Sequence, residues 1–377
     1  MPGDPFETVW LKNVELRNRF VFAAAASGGA ADSAGVISRD EIERLVTYAK
    51  CGVGLIITGA VGISAYALSH AGSSLLVNDA HIAGFSKLTR AVHKQGGKIA
   101  VELCHSGIWT GGYLKELDRE AIAPSYIPEN PYITRPGFIA NYHAASEQEI
   151  EGVISSFGDA AARAKEAGFD AVEVHGAHDS LLSQFLSPLT NHRSDRWGGS
   201  LENRVRVHCE TGKAIRRSVG DDYPVILKIG VADGIPGGLR SADGRKAAGL
   251  CRISGFDILE ISQGLQGTKF SEMALRSPIN SIDQEGFSRT WCRDIKNDGA
   301  TTIMTGGLRS LELIEEILEN GETDYIGLCR PLVREPGLVR RWREGDRGRS
   351  TCISCNKCGF AISKGLPLSC YVDKPII

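Results

Sequence analysis

The sequence predicts an α/β fold, a (β/α)8 TIM barrel with an N-terminal hairpin, a long loop excursion after the third barrel strand and a C-terminal cysteine-rich extension. Eight short apolar runs, at 20–24, 55–58, 98–103, 171–174, 225–229, 258–262, 302–305 and 325–328, recur with helical stretches between them. Strands alternating with helices imply a parallel sheet, and eight such units close into a barrel. A length of 377 residues suits one barrel with insertions. A composition 42% hydrophobic and 23% charged supplies the apolar material for its core.

Taken in order, 10–20 alternates apolar and polar residues with Asn13 and Asn18 as turn formers, which reads as a hairpin closing the barrel bottom. Helices are expected at 39–50, 79–95, 147–167, 200–219, 241–253, 308–319 and 331–342. Ser146 followed by Glu149 has capping-box spacing, Gly168 supplies a stop, and Ser200 caps the helix behind Gly198 and Gly199. The stretch 106–145 is too long for a plain strand-to-helix loop. Pro124, Pro128, Pro131, Pro136 and Gly137 punctuate it, so it reads as an excursion over the barrel mouth. Its aromatics Tyr126, Tyr132, Phe138 and Tyr142 either wall a substrate or pack the excursion onto the barrel. The expected division is a barrel over 1–345 and a cysteine-rich extension over 346–377.

A formal net charge of −2 gives no global basic field for nucleic acid or an anionic membrane. There is neither a secretion signal nor a run of about eighteen apolar residues, so a cytoplasmic protein is expected. In that setting the ten cysteines stay reduced or bind metal.

Barrels carry their chemistry at the C-terminal ends of the strands. Those ends offer Ala23, Ala24, Ala25 and Ala26, then Gly59 and Ala60, then Glu102 and His105, then His175 and His178, then Lys228. Small residues let a flat ring lie against backbone, while Glu102 and Lys228 meet its polar edge. After the seventh and eighth strands stand Gly306 and Gly307, then Cys329 and Arg330. Loops there often bind phosphate through free N–H groups, and Arg330 adds a bidentate cation; a Gly-Gly pair also serves as a tight turn. His175 and His178, where the 171–174 run stops, either aim two ring nitrogens at one ligand oxygen or form a packed or metal-binding pair.

The stretch 172–204, VEVHGAHDSLLSQFLSPLTNHRSDRWGGSLENR, resembles the old yellow enzyme family of flavin-dependent ene reductases in its His-x-x-His pair, its QFLSP run and its GGSLENR run. The resemblance extends over the barrel. It implies FMN, with its phosphate at Gly306, Gly307 and Arg330, its ring near Ala23, Ala24, Ala25, Ala60, Glu102, His175, Lys228 and Cys329, and a substrate carbonyl oxygen on His175 and His178. Four departures stand out. Glu102 replaces the usual Gln, and a carboxylate accepts from flavin N3–H but cannot donate to a carbonyl oxygen. Lys228 replaces an Arg, and a cation there still favours the reduced, anionic flavin. Ala24 and Ala26 replace a Pro and a Thr or Cys. Ser180 replaces the proton-donating Tyr, and a serine hydroxyl is too short and too weak an acid for that task. Tyr142 or His143 on the excursion are candidates to substitute for it.

Cys352-x2-Cys355-x2-Cys358-x11-Cys370 places three thiols in two short turns with a fourth returning. The pattern suits an iron–sulfur centre first, a structural zinc second, and four metal-free thiols otherwise. It resembles the tail of the 2,4-dienoyl-CoA reductase branch, which holds a [4Fe–4S] cluster and has one residue more between its second and third cysteines. That branch continues into a half that binds FAD and NADPH, so an electron partner on another chain is expected. The basic run Arg340, Arg341, Arg343, Arg347 and Arg349 either docks an acidic carrier or an acyl-CoA phosphate, or is a solvated helix end.

The function expected is FMN-dependent reduction of a C=C bond conjugated to a carbonyl or thioester, fed by NAD(P)H or a protein donor. The alternatives are an oxidative dehydrogenase, as in amine dehydrogenases that resemble this branch, and a non-catalytic flavin and iron–sulfur relay. A homo-oligomer is compatible with each.

Overall fold

The computed structural model describes residues 3–68, 72–110, 114, 118–128, 141–267, 273–374 and 376. Strands β1, Val9–Leu11, and β2, Val14–Leu16, pair antiparallel with Val9 opposite Leu16. Then come β3, Phe20–Phe22, β4, Leu55–Gly62, and β5, Lys98–Cys104. The short strands β6, Ala121–Ala123, and β7, Tyr142–Ala144, pair with each other in the excursion. The chain continues through β8, Ala171–Gly176, β9, Val225–Gly230, β10, Ile258–Ser262, β11, Thr301–Met304, and β12, Tyr325–Leu328. Eight of these close a barrel in the order β3-β4-β5-β8-β9-β10-β11-β12, every pairing parallel, with Ile326 opposite Phe20 at the closure.

The hairpin plugs the bottom. Leu11 and Leu16 are fully buried among Val21, Leu55, Ile226 and Ile303 of the barrel interior. Helices wrap the outside, and Glu147–Glu166 illustrates why they form. Ser146 Oγ accepts from Glu149 N at 3.2 Å, and Glu149 Oε2 accepts from Ser146 N at 2.8 Å. Ile150, Val153, Ile154, Phe157, Ala161 and Ala164 then repeat at helical spacing and are all buried. Gly168, at φ 86°, ends the helix. Truncating the fully buried Phe157 to Ala costs about 3–5 kcal/mol on general grounds.

Several expectations shift. The fourth barrel strand does not stop at 174 but carries His175 and Gly176 within it. β4 runs on to Gly62 through an irregularity between Ile57 and Ala60. The helix expected at 308–319 begins at Leu311, and that at 200–219 breaks at Val205. The one at 331–342 divides into Arg330–Arg334 and Leu338–Arg343. Pro336 sits in the gap, where it lacks the N–H to continue a helix. Helices Leu181–Leu186, Arg289–Asn297 and Lys357–Ser363 were not expected. Tyr132 and Phe138 lie outside the described residues. Among the described residues no helix is long and apolar enough to cross a membrane.

Candidate active site

Inside the upper barrel, β5, β8, β9 and β10 bring Glu102, Glu173, Lys228 and Glu260 together. Lys228 Nζ lies 2.6 Å from Glu102 Oε2, 3.0 Å from Glu173 Oε2 and 3.4 Å from Glu260 Oε1. All four side chains are at most 5% exposed. Burial alone would favour the neutral amine, but the three carboxylates outweigh it and hold Lys228 well above the usual lysine range. Burial would raise Glu102 as well, yet His175 and Lys228 hold it well below the carboxylate range. Burial and then Glu260 push Glu173 well up. Among the described residues Glu173 Oε1 and Glu260 Oε2 have no hydrogen-bond partner, and the proton that the raised Glu173 carboxyl keeps can be donated to Glu260.

His175, on β8, puts Nδ1 3.0 Å from Glu102 Oε2, within ion-pair range although off the angle of a hydrogen bond. His178 Nε2 lies 2.6 Å from Ser262 Oγ at the end of β10. The two rings stand 5.3 Å apart. Burial, with His175 and Lys228 nearby, keeps His178 well below the usual imidazole range and thus neutral. Both rings wall a cavity of about 550 Å³ with Thr58, Gly59, Ala60, Cys104 and Trp109.

A second cavity, about 100 Å³, adjoins it and shares His178. Ala23, Ala24, Lys228, Gly306, Gly307, Cys329 and Arg330 line it. Gly306 and Gly307 have φ of 137° and 76°, and a Cβ on Gly307 would stand 2.3 Å from Ile279 Cδ1, so only glycine suits this turn. The N–H groups of Gly306, Gly307, Cys329 and Arg330 find no acceptor among the described residues. Arg330 is 8% exposed, donates from Nη1 to Arg276 O at 2.9 Å and Asn356 Oδ1 at 2.5 Å, and has no carboxylate within ion-pair distance among the described residues. A buried cation beside unclaimed N–H groups fits a phosphate. Ala23 and Ala24, with side chains of a single methyl, line the same cavity.

Not every expected residue joins these walls. Ala25 faces neither cavity; its carbonyl packs against Gly59, where a Cβ would come within 2.5 Å. Glu102 stands behind Lys228 and His175 instead of on a wall, because its carboxylate turns inward to the Lys228 ammonium at 2.6 Å and to His175 Nδ1 at 3.0 Å. His105 is buried, accepts from Gly107 N through Nδ1 and faces neither cavity. Tyr142 accepts from Ile127 N and packs on Tyr126, and His143 is held between Glu120 and Glu149, so neither reaches the cavity as a substitute donor. Conversely Glu173, Asp179, Glu260 and Ser262 were overlooked. An acidic residue inside an apolar strand run was the available signal for the two glutamates.

In the tail, Cys352, Cys355, Cys358 and Cys370 line one small cavity of about 20 Å³ with Arg330 and Arg334. Burial raises the thiols of Cys352 and Cys358. Arg334 Nη1 donates to Cys370 Sγ at 3.6 Å. Among the described residues no three His, Cys, Asp or Glu stand at metal-binding distances. Four free thiols around one cavity beside two guanidinium groups nevertheless suit a thiolate-bound centre. The bond from Arg330 to Asn356 joins this tail to the glycine-lined cavity, and Gly28 N donates to Leu366 O at 3.1 Å at the barrel mouth.

Residues 4–347 match the NADH:flavin oxidoreductase / NADH oxidase family. The chain belongs to this family. It is 33% identical to NADH oxidase of Thermoanaerobacter brockii over 96% of its own length and 54% of the relative's. It is 33% identical to NADPH dehydrogenase of Bacillus velezensis (strain DSM 23117 / BGSC 10A6 / LMG 26770 / FZB42), covering 88% of this chain and 92% of that one. A solved complex of 2-naphthoyl-CoA reductase with 2-naphthoyl-CoA superposes with a TM-score of 0.88 at 26% identity, over 99% of this chain and 57% of the other. The chain thus spans about half the length of the NADH oxidase and the naphthoyl-CoA reductase. FMN-type NADH:flavin oxidoreductase chemistry is the chemistry of this family.

Proposed function

We propose that the barrel over 1–345 binds FMN and reduces a C=C bond conjugated to a carbonyl or an acyl thioester, with NAD(P)H or a protein donor supplying the electrons. The observation that carries this is the convergence of His175 and His178 on one cavity that adjoins the glycine-lined, Arg330-bearing cavity. Gly306, Gly307, Cys329 and Arg330 hold the phosphate, and Ala23, Ala24, Ala60 and Lys228 border the ring. FMN, when bound, supplies hydride to the substrate β-carbon. His175 and His178 bind the substrate oxygen on which negative charge grows, and stronger binding of that charged form lowers the barrier. Glu102 orients His175 and keeps Lys228 charged, and Lys228 places a cation beside the flavin. A thioester is favoured by the likeness to 2-naphthoyl-CoA reductase, solved in complex with 2-naphthoyl-CoA.

We further propose that Cys352, Cys355, Cys358 and Cys370 hold a [4Fe–4S] cluster that passes single electrons between the flavin and a partner. The test of the central reading is anaerobic turnover of FMN-loaded protein with NAD(P)H and either cyclic enones or enoyl thioesters. Turnover of amines without any enone activity would replace this reading with the oxidative one.

A further inference from the structure

Asp179 walls the 550 Å³ cavity together with His175, His178 and Ser180, and the scheme above gives it no task. It follows His178 in a left-handed stretch, with φ of 51° and 65° at the two residues. Such backbone is disfavoured for residues other than glycine, so the surroundings must impose it. His178 N donates to Gln263 O at 3.1 Å, Gln184 Nε2 donates to Asp179 O at 2.6 Å, and Gln266 N donates to Asp179 Oδ1 at 2.9 Å. The outcome is a carboxyl only 7% exposed yet on the cavity wall beside the His pair.

We propose that Asp179 is the proton donor of the reduction, delivering its Oδ proton to the substrate α-carbon. The proposal rests on the reductive reading of the cavity. Hydride from reduced flavin, itself reduced by NAD(P)H, adds to the β-carbon and leaves an enolate held by His175 and His178. The enolate's electron pair then forms the α-carbon C–H bond, the Asp179 O–H bond breaks, and the carboxylate left behind recovers a proton from solvent. Burial, and behind it the charge of Asp233, outweighs the bonds from Gln266 and pushes the Asp179 carboxyl up to about 7. A group with that value carries its proton below neutrality and releases it readily, as a general acid must.

The other wall groups are less suited. Ser180 Oγ commits its proton to His175 O at 3.0 Å. Burial raises the Cys104 thiol far above neutrality, and Glu41 is paired with Arg44. Among the described residues, the titratable groups around Asp179 are Asp233 from the loop after β9, which Arg204 approaches, and His175, His178, Glu41 and Cys104 of the cavity wall. Neutral His178 adds no fixed charge.

The experiment compares FMN-loaded wild type, Asp179→Asn and Asp179→Gly, the last relieving the left-handed strain so that folding is not at issue. Flavin is reduced anaerobically with NAD(P)H, then mixed with a cyclic enone or, separately, a quinone that needs no carbon protonation. Loss of the acid should slow reoxidation by the enone about 100-fold or more in both variants, leaving the quinone arm and enone affinity little changed. The wild-type enone rate should fall as pH rises through about 7, and that limb should vanish in Asp179→Asn. Infrared titration should find a protonated carboxyl band near the same pH in wild type that Asp179→Asn lacks. An Asp179→Asn variant as fast as wild type, or one that keeps the pH limb, overturns this proposal alone. Wild type inert to every enone and acyl thioester overturns it together with the reductive reading.

Discussion

Replacing Lys228 with methionine should destabilise the apoprotein by about 3–5 kcal/mol near pH 8, the range for removing one partner of a buried ion pair. The size follows from the cluster. Lys228 Nζ touches Glu102, Glu173 and Glu260, at 2.6, 3.0 and 3.4 Å, and no other lysine or arginine among the described residues pairs with any of them. At about 3 Å and an effective dielectric near 20, one such contact is worth roughly 5–6 kcal/mol before desolvation is counted. Glu173 can relax by keeping its proton. Glu102, held low by His175 and Lys228, cannot do so without losing much of that support. The sign with pH follows. A depressed carboxylate gives stability that is present above the unfolded-state carboxylate range and lost as pH falls through its folded value, whereas in Lys228→Met the stranded Glu102 binds a proton more readily. The deficit should therefore shrink from pH 8 towards pH 5. Urea unfolding of apoprotein across that range measures it. Adding Glu102→Gln to Lys228→Met should recover much of the loss, since it removes the unpaired charge. A loss under about 1 kcal/mol, or additive single and double variants, would refute the reasoning.

Three further outcomes are expected. Arg330→Ala should weaken FMN binding by about tenfold or more, one charge-assisted contact, as read by quenching of flavin fluorescence on titration of apoprotein; unchanged affinity would move the phosphate elsewhere. Anaerobically prepared protein should contain iron and acid-labile sulfide, with Cys355→Ser lowering both; zinc alone would remove the electron-transfer role while leaving the flavin chemistry standing. Ser180→Ala should cost roughly 1 kcal/mol of stability through its bond to His175 O and leave enone turnover within an order of magnitude, whereas abolished turnover with intact binding would make the serine catalytic.

The barrel was legible because each strand is a short apolar run, and the capping signals at Ser146, Gly168 and Ser200 speak through local backbone chemistry. Helix Arg289–Asn297 was not, since only Cys292 and Ile295 of its nine residues are buried and its charged remainder reads as loop. The walls gathering His175, His178, Lys228, Gly306 and Arg330 follow from strand ends in a closed barrel. Which neighbour each finds does not. Glu102 and Lys228 meet across 126 positions of sequence, and their embrace turns Glu102 away from the cavities. Asp179 escaped notice because its character comes from burial and from Asp233 behind it, both set by tertiary packing.

The most direct test of the central claim is a single-turnover experiment. FMN-loaded protein is reduced anaerobically with NAD(P)H and mixed with an enoyl-CoA thioester or a cyclic enone, and the flavin absorbance is followed while the product is analysed. The account predicts that the flavin reoxidises in one phase with one equivalent of saturated product, and that His175→Ala and His178→Ala each slow this phase and weaken binding of the unsaturated compound. Flavin that stays reduced with every unsaturated carbonyl and thioester, while amines reduce the oxidised form, would contradict it.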